Sequence, residues 1–374
     1  MVQALFTAAV LAASPVRVWT VTFGGIKADE LVCVAEDDLG RVLAGGSTAS
    51  YSTGDLDGWV VCLEPDDGEV VWERPYGGTG EDAITDIIPV RDGSCYLIGH
   101  TSSMGNGESD LWVVKIDREG KTLWERTYGG EFKDAASSGA LLPDSSLVAA
   151  GNTWSEGAGG SDAWLVNIGP DGEVQWARTF GGNRMERAFD VSCVGERLIF
   201  VGTTYSEGGC GEVLVVWTDL RGMEKHRLLW GRSGYDIGKS VAVNESGTAH
   251  VVCWSKSTDC DAVLISVDST GSLVREHLFP MGSDTRLEAI ADMGQGRLVI
   301  AGYTETRQAA DTDVFVWGIN PDCSIGWSNV AGAAGNDAFY DVVLCSGDRL
   351  VVVGSTTAAD RADTNGWVIA LGGF

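Results

Sequence analysis

Asp110-Leu-Trp-Val-Val-Lys-Ile-Asp-Arg-Glu-Gly120-Lys-Thr-Leu-Trp-Glu-Arg-Thr-Tyr-Gly-Gly130 is the stretch whose reading decides the fold. An apolar run from Leu111 to Asp117 predicts one strand, and Thr122 to Tyr128 predicts the next. Between them Arg118-Glu119-Gly120 supplies the positive φ that a tight hairpin demands. Upstream, Ala83 to Val90 and Cys95 to Thr101 read as two further strands, turned by Arg91-Asp92-Gly93 and followed by a Gly/Ser loop over residues 102–109. No stretch carries a helical period strong enough to compete.

This four-strand unit recurs. Trp19-Thr-Val-Thr-Phe-Gly-Gly25, Trp72-Glu-Arg-Pro-Tyr-Gly-Gly78 and Trp176-Ala-Arg-Thr-Phe-Gly-Gly182 match its end, with final glycines spaced 53, 52 and 52 residues apart along the four copies. Degenerate copies continue near Gly231, Gly282 and Gly332. A second marker gives the same number of units. Apolar runs begin at Trp59, Trp112, Trp164, Leu214, Val263, Phe315 and Trp367, one per repeat. Four strands per unit of about 50 residues describe a propeller blade.

The ends fix the closure. The chain stops after a third strand, Trp367 to Leu371, and the missing Trp-bearing fourth strand stands at the other end as Val16 to Phe23. The expected fold is therefore all-β: one seven-bladed β-propeller over residues 15–374, its N-terminal strand completing the last blade. Sharing a sheet between the two ends removes an exposed edge that would template aggregation. Residues 1–14 carry a short apolar run, Ala4 to Ala13, which has the look of a secretory h-region without a basic n-region. It is too short to span a bilayer, and no later apolar stretch reaches 18 residues, so membrane insertion is not expected.

Composition bounds the partners. The 374 residues carry a net charge of −27, with 21% charged and 44% hydrophobic residues, which is globular rather than disordered. No basic stripe exists to release phosphate counterions, so nucleic acid is not an expected partner. Nine cysteines contain no CxxC pair. Six of them, Cys33, Cys62, Cys95, Cys193, Cys253 and Cys345, lie in apolar strand-like runs, where a thiol behaves as a small hydrophobe.

Three polar rings repeat around the units. Asp57, Asp110, Asp162, Glu212, Asp261, Asp313 and Asn365 stand two places before the third-strand marker. Thr48, Thr101, Thr153, Thr204, Ser255, Thr304 and Thr356 end the second strand. Asp29, Asp82, Asp134, Glu186, Asp236 and Asp337 follow the Gly-Gly turns. Repetition of the first two rings at all seven blades argues structure, because short polar side chains at strand ends satisfy loop amides and a catalytic residue is normally singular. The fourth-strand Trp reads as a wedge between blades, weakened where His226 and Arg275 replace it. Calcium would suit the oxygen-rich loops, with Asp55, Asp57, Asp360 and Asp363 as the nearest ligands, though neither loop matches a complete calcium pattern and no cofactor is expected.

Departures from the repeat are the better functional signal. His100, Trp254 and Tyr303 stand just before the Thr ring, and Tyr51, Trp154 and Tyr205 lie in the loops after it. These six are the candidate ligand-binding residues, aromatics beside carboxylates on one mouth of the ring. The four histidines lack metal-ligand spacing, and neither a nucleophile elbow nor a phosphate loop is present.

The unit Asp-x-Trp-Val-Val-x-x-Asp-x-x-Gly-x-x-x-Trp-x-x-x-Tyr-Gly-Gly, read from Asp110 to Gly130, resembles the repeats of bacterial and archaeal secreted or surface β-propellers. Its Asp-x-x-Gly-x-x-x-Trp part is similar to the tryptophan-docking repeat of quinone-dependent propellers. The chain departs from those enzymes in its seven units and its lack of a vicinal cysteine pair, so quinone binding is not expected. The surface resemblance implies an extracellular or cell-surface interaction role. The resulting expectation is a monomeric, non-catalytic binding or scaffold propeller, presenting an acidic, aromatic-containing face to a glycan, protein or cell-surface partner. The alternative is a polysaccharide hydrolase or lyase with carboxylates at the channel mouth.

Overall fold

Alternating apolar runs and hairpin glycines fold here, among the described residues, as twenty-eight strands in seven four-stranded antiparallel sheets. The structure, a computed structural model, describes residues 14–374 apart from 208–209, 233, 257–259, 280–283, 307–310, 333–334 and 358–362. The second blade is built from Asp82–Pro89, Cys95–Thr101, Asp110–Ile116 and Thr122–Tyr128, within one residue of the strands its sequence predicts. The blades occupy residues 29–76, 82–128, 134–180, 186–230, 235–279, 284–331 and 337–372, and are numbered 1 to 7 in that order. In each, the first strand lies innermost and the fourth lies at the rim.

The ring closes as the ends of the sequence require. Val16–Phe23 pairs antiparallel with Thr364–Gly372, placing Val16 opposite Gly372 and Phe23 opposite Gly366. Blade 7 is thus made from both ends of the chain.

The core lies between the blades rather than within them. Third strands such as Asp110–Ile116 are buried along their whole length, while fourth strands such as Thr122–Tyr128 face solvent. Seven hydrophobic clusters each straddle one seam: Leu31, Trp59, Val353 and Val368 join blades 7 and 1, and Cys33, Cys62, Ile84 and Trp112 join blades 1 and 2. A single blade therefore has no core of its own, and only the stacked ring hides the apolar faces.

The repeated Asp-x-x-Gly-x-x-x-Trp now has a physical reason. Trp19, Trp72 and Trp176 lie over the hairpin glycine of the next blade, and three fourth-strand indoles donate their N–H to a carbonyl of that hairpin: Trp19 to Pro65 O at 2.9 Å, Trp72 to Arg118 O at 3.0 Å, Trp124 to Pro170 O at 3.1 Å. Gly120 turns the hairpin at φ +76°, and a Cβ there would stand 2.8 Å from the Trp72 ring. Glycine is thus required twice, by its backbone and by the indole above it. His226 and Arg275 at this position are exposed, yet Arg275 reproduces the contact, its guanidinium donating to Pro321 O at 2.5 Å. The glycine of that next hairpin is replaced in step by Cys323, at φ 69°.

Candidate functional site

The inner strands carry a defect that shapes the ring's axis. In all seven blades the pairing of first and second strands slips by one residue, as between Leu31 and Cys33 or between Phe339 and Asp341. A β-bulge re-aims the unpaired side chain. Val32, Thr85, Ser137, Phe189, Lys239, Glu288 and Tyr340 are those unpaired residues, and all seven line the axial channel, a cavity of about 420 Å³. Seven equivalent positions thus hold seven different residue types. Lys239 and Glu288 form an ion pair at 2.8 Å, and the ammonium also lies 5.3 Å from the Phe189 ring centre.

One residue further along, Asp86, Asp190 and Asp341 reach across seams. Asp86 accepts the Gly139 amide at 2.8 Å, and Asp341 accepts the Val34 amide at 2.9 Å. Asp190 accepts the Val241 amide and the hydroxyls of Ser138 and Ser240. Burial raises the pKa of all three carboxyls, Asp86 to about 6 and Asp341 to about 8, because the charged form loses its hydration. These acids face the channel, but their oxygens are engaged as clamps between blades.

The face carrying the Gly-Gly turns and the second-to-third-strand loops holds the three polar rings. Its first-strand carboxylates point into the protein. Asp29, Asp82, Asp134, Glu186 and Asp236 are buried. Each accepts a turn amide, such as Gly78 N to Asp82 at 2.7 Å and Gly130 N to Asp134 at 2.8 Å. Thr48 donates to Asp29 at 2.5 Å, Thr101 to Asp82, and Thr204 to Glu186 at 2.9 Å. The third-strand acids hold their own loops, Asp57 through the Thr53 amide and Asp110 through the Asn106 amide. The doubled glycine follows, since a Cβ on Gly129 would lie within 2.5 Å of both Asp110 and Asp134. These ring carboxylates are thus turned inward and occupied by their own loops.

Of the six candidate residues, three come together. Tyr205, Trp254 and Tyr303 are half-buried on blades 4, 5 and 6 and form one run with Tyr235 and Arg286. Tyr205 and Tyr235 lie 5.6 Å apart, Tyr235 meets Trp254 edge-on at 5.9 Å, and the Arg286 guanidinium sits 4.8 Å from the Trp254 ring and 5.6 Å from Tyr303. Register explains the last contact, because Arg286 and Tyr303 are directly opposed cross-strand partners. Burial raises the Tyr303 phenol to about 12, with the charges of Glu288 and Tyr340 adding to the shift. His100 lines the channel itself, and burial holds its pKa down. Tyr51 and Trp154 stand apart, 45% and 42% exposed.

Tyr235 and Arg286 escaped the sequence reading. Tyr235 occupies the place held by Ala28, Glu81, Lys133 and Met185 in other blades, so its departure was visible in principle. Arg286 shares its place with Glu30, Ala83 and Arg187, and only the stacking of blade 6 on blade 5 sets it against Trp254. Among the described residues no group of three or more His, Cys, Asp or Glu is arranged to hold a metal. Asp55 is exposed, Asp57 is buried, Asp363 is half-buried, and Asp360 lies outside the described residues.

No family model matches the chain. It is 23% identical over 382 residues to the regulatory protein FlaEY of Caulobacter vibrioides, covering 82% of this chain and 38% of that protein, so it spans well under half of that relative's length. The WD40 domain of Neurospora crassa Pan2 superposes with a TM-score of 0.58 at 10% identity, covering 96% of this chain and 95% of that one. Chaetomium thermophilum Sqt1, bound to the N-terminus of ribosomal protein L10, superposes with a TM-score of 0.54 at 14% identity, covering 95% and 99%. These likenesses and the closed ring define the chain as a seven-bladed β-propeller.

Proposed function

We propose that this chain is a non-catalytic binding propeller that docks a segment of a partner protein on the Gly-Gly face, along the run from Tyr205 to Tyr303 and into the channel mouth. The carrying observation is the ladder of Tyr205, Tyr235, Trp254, Arg286 and Tyr303, half-exposed side chains of the types that dominate interface energetics. The rigid ring holds these groups with little ordering left to do on binding, which favours affinity. Sqt1 offers a precedent of architecture, a propeller that receives a protein N-terminus. A secreted or cell-surface setting belongs to the same proposal, supported by the surface-propeller resemblance of the repeat.

Photo-crosslinking from position 205 or 254, with position 174 on the rim as control, identifies the partner. Trp254→Ala and Arg286→Ala then each weaken its binding by about tenfold or more. Unchanged affinity in both variants would refute the site. The alternative hydrolase or lyase draws on Asp86, Asp190 and Asp341, whose raised pKa values suit proton transfer. Their fixed hydrogen bonds to neighbouring blades favour the clamping role instead.

A further inference from the structure

The seam between blades 3 and 4 differs from its neighbours on the hairpin face, opposite the proposed docking surface. Trp176 packs over Gly222 as Trp19 and Trp72 do over Gly68 and Gly120, a Cβ at Gly222 lying 2.7 Å from the ring. The indole N–H, however, meets no acceptor among the described residues, whereas Trp19, Trp72 and Trp124 each donate to the facing hairpin. A cleft of about 480 Å³ opens beside it, lined by Asp144, Asn167, Gln175, Trp176, Leu220 and Arg221 among others.

Asn167 is the second anomaly. It stands directly opposite Trp176 in the sheet, at a position held in other blades by Cys62, Lys115, Trp217, Ser266 and Gly318. Only 1% of it is exposed. Its amide nitrogen donates to Ser146 Oγ at 2.9 Å and Leu147 O at 3.3 Å, which fixes the orientation of the group. Its Oδ1 is buried and has no donor among the described residues. Leaving a buried acceptor unmet costs on the order of 1–3 kcal/mol, so a donor arriving from the cleft is favoured.

An unmet acceptor, an unmet donor and the face of an indole thus converge on one cavity of the size that small molecules occupy. A hydroxyl both donates and accepts, and several on one small ring serve both groups while its C–H face covers the indole. Asp144 offsets one of the two guanidiniums on the same walls, Arg178 and Arg221, which leaves one net positive charge and N–H donors that the hydroxyl oxygens of such a ring can accept from. We propose that the blade 3–4 cleft is a binding site for a small polyhydroxylated ligand, a sugar or polyol, held by Asn167 Oδ1, the Trp176 indole and the polar ends of Gln175 and Arg221.

The test uses the full chain and four probes: glucose, galactose, N-acetylglucosamine and glycerol. The Trp176 indole resonance is assigned in a ¹H–¹⁵N spectrum through Trp176→Phe and followed on titration. At least one probe shifts it saturably, with a dissociation constant of about 1 mM or tighter. Leu220→Trp, which fills the cleft, abolishes the shift, and the surface variant Arg221→Ala weakens it at least threefold, an arm that stands even where Leu220→Trp fails to fold. No shift with any of the four probes, or a shift that survives both variants, overturns the proposal. Because the cleft lies on the opposite face, neither result depends on what binds at Trp254.

Discussion

Gly120→Ala and Trp72→Ala together test why the repeat couples a hairpin glycine to a tryptophan in the preceding blade. Gly120 has φ +76°, so an alanine there pays roughly 1–2 kcal/mol for a left-handed backbone. Its Cβ would also stand 2.8 Å from the Trp72 ring, adding an overpacking cost of about 1–3 kcal/mol. Trp72→Ala removes a half-buried ring and its bond to Arg118 O, a loss of roughly 2–4 kcal/mol, below the range for fully buried aromatics. With the ring gone, Gly120→Ala retains only its backbone cost. The double variant is therefore less destabilised than the sum of the singles by about 1–3 kcal/mol. Urea unfolding midpoints, compared at constant m, measure all four corners of the cycle. Strict additivity would refute the argument that the indole excludes a side chain at position 120. Nature has run a related exchange in this chain, where Arg275 and Cys323 replace the pair together and meet at 3.1 Å.

Two further outcomes follow from the same structure. Trp19→Ala, at a docking position only 8% exposed and on the ring-closing strand, costs about 3–5 kcal/mol, whereas His226→Ala at the equivalent exposed position costs less than about 1 kcal/mol; equal losses in urea midpoint would mean the position is not a wedge. The stabilisation contributed by two clamp carboxyls also falls as pH rises from 5 to 9. The folded pKa values of Asp86 and Asp341, about 6 and about 8, exceed the unfolded value, so their stabilisation is full in acid and is lost as pH passes through the folded values. Asp341→Asn flattens that decline between pH 7 and 9, and an undiminished slope would show that the clamp carboxyl does not titrate there.

The fold was legible because a propeller writes its geometry into local signals. Hairpin glycines, apolar third strands and the Trp-to-Gly-Gly tail are fixed by contacts within a blade or with the next one, so they recur at a constant interval. The displaced strand Val16–Phe23 told of closure for the same reason, being a recognisable copy out of place. Short-range chemistry likewise explains why the Thr/Ser ring and the third-strand acid ring recur at a constant interval. Site residues obey no such period. The channel lining is set by a bulge that the sequence does not announce, and only the pairing of Leu31 with Gly46 and Cys33 with Gly45 exposes Val32 and its six counterparts to the axis. Arg286 meets Trp254 because adjacent blades stack at a particular distance, and Asn167 Oδ1 is orphaned because the hairpin of the next blade sets no donor against it among the described residues. Those facts belong to the assembled ring, where side chains from separate repeats first come within reach of each other.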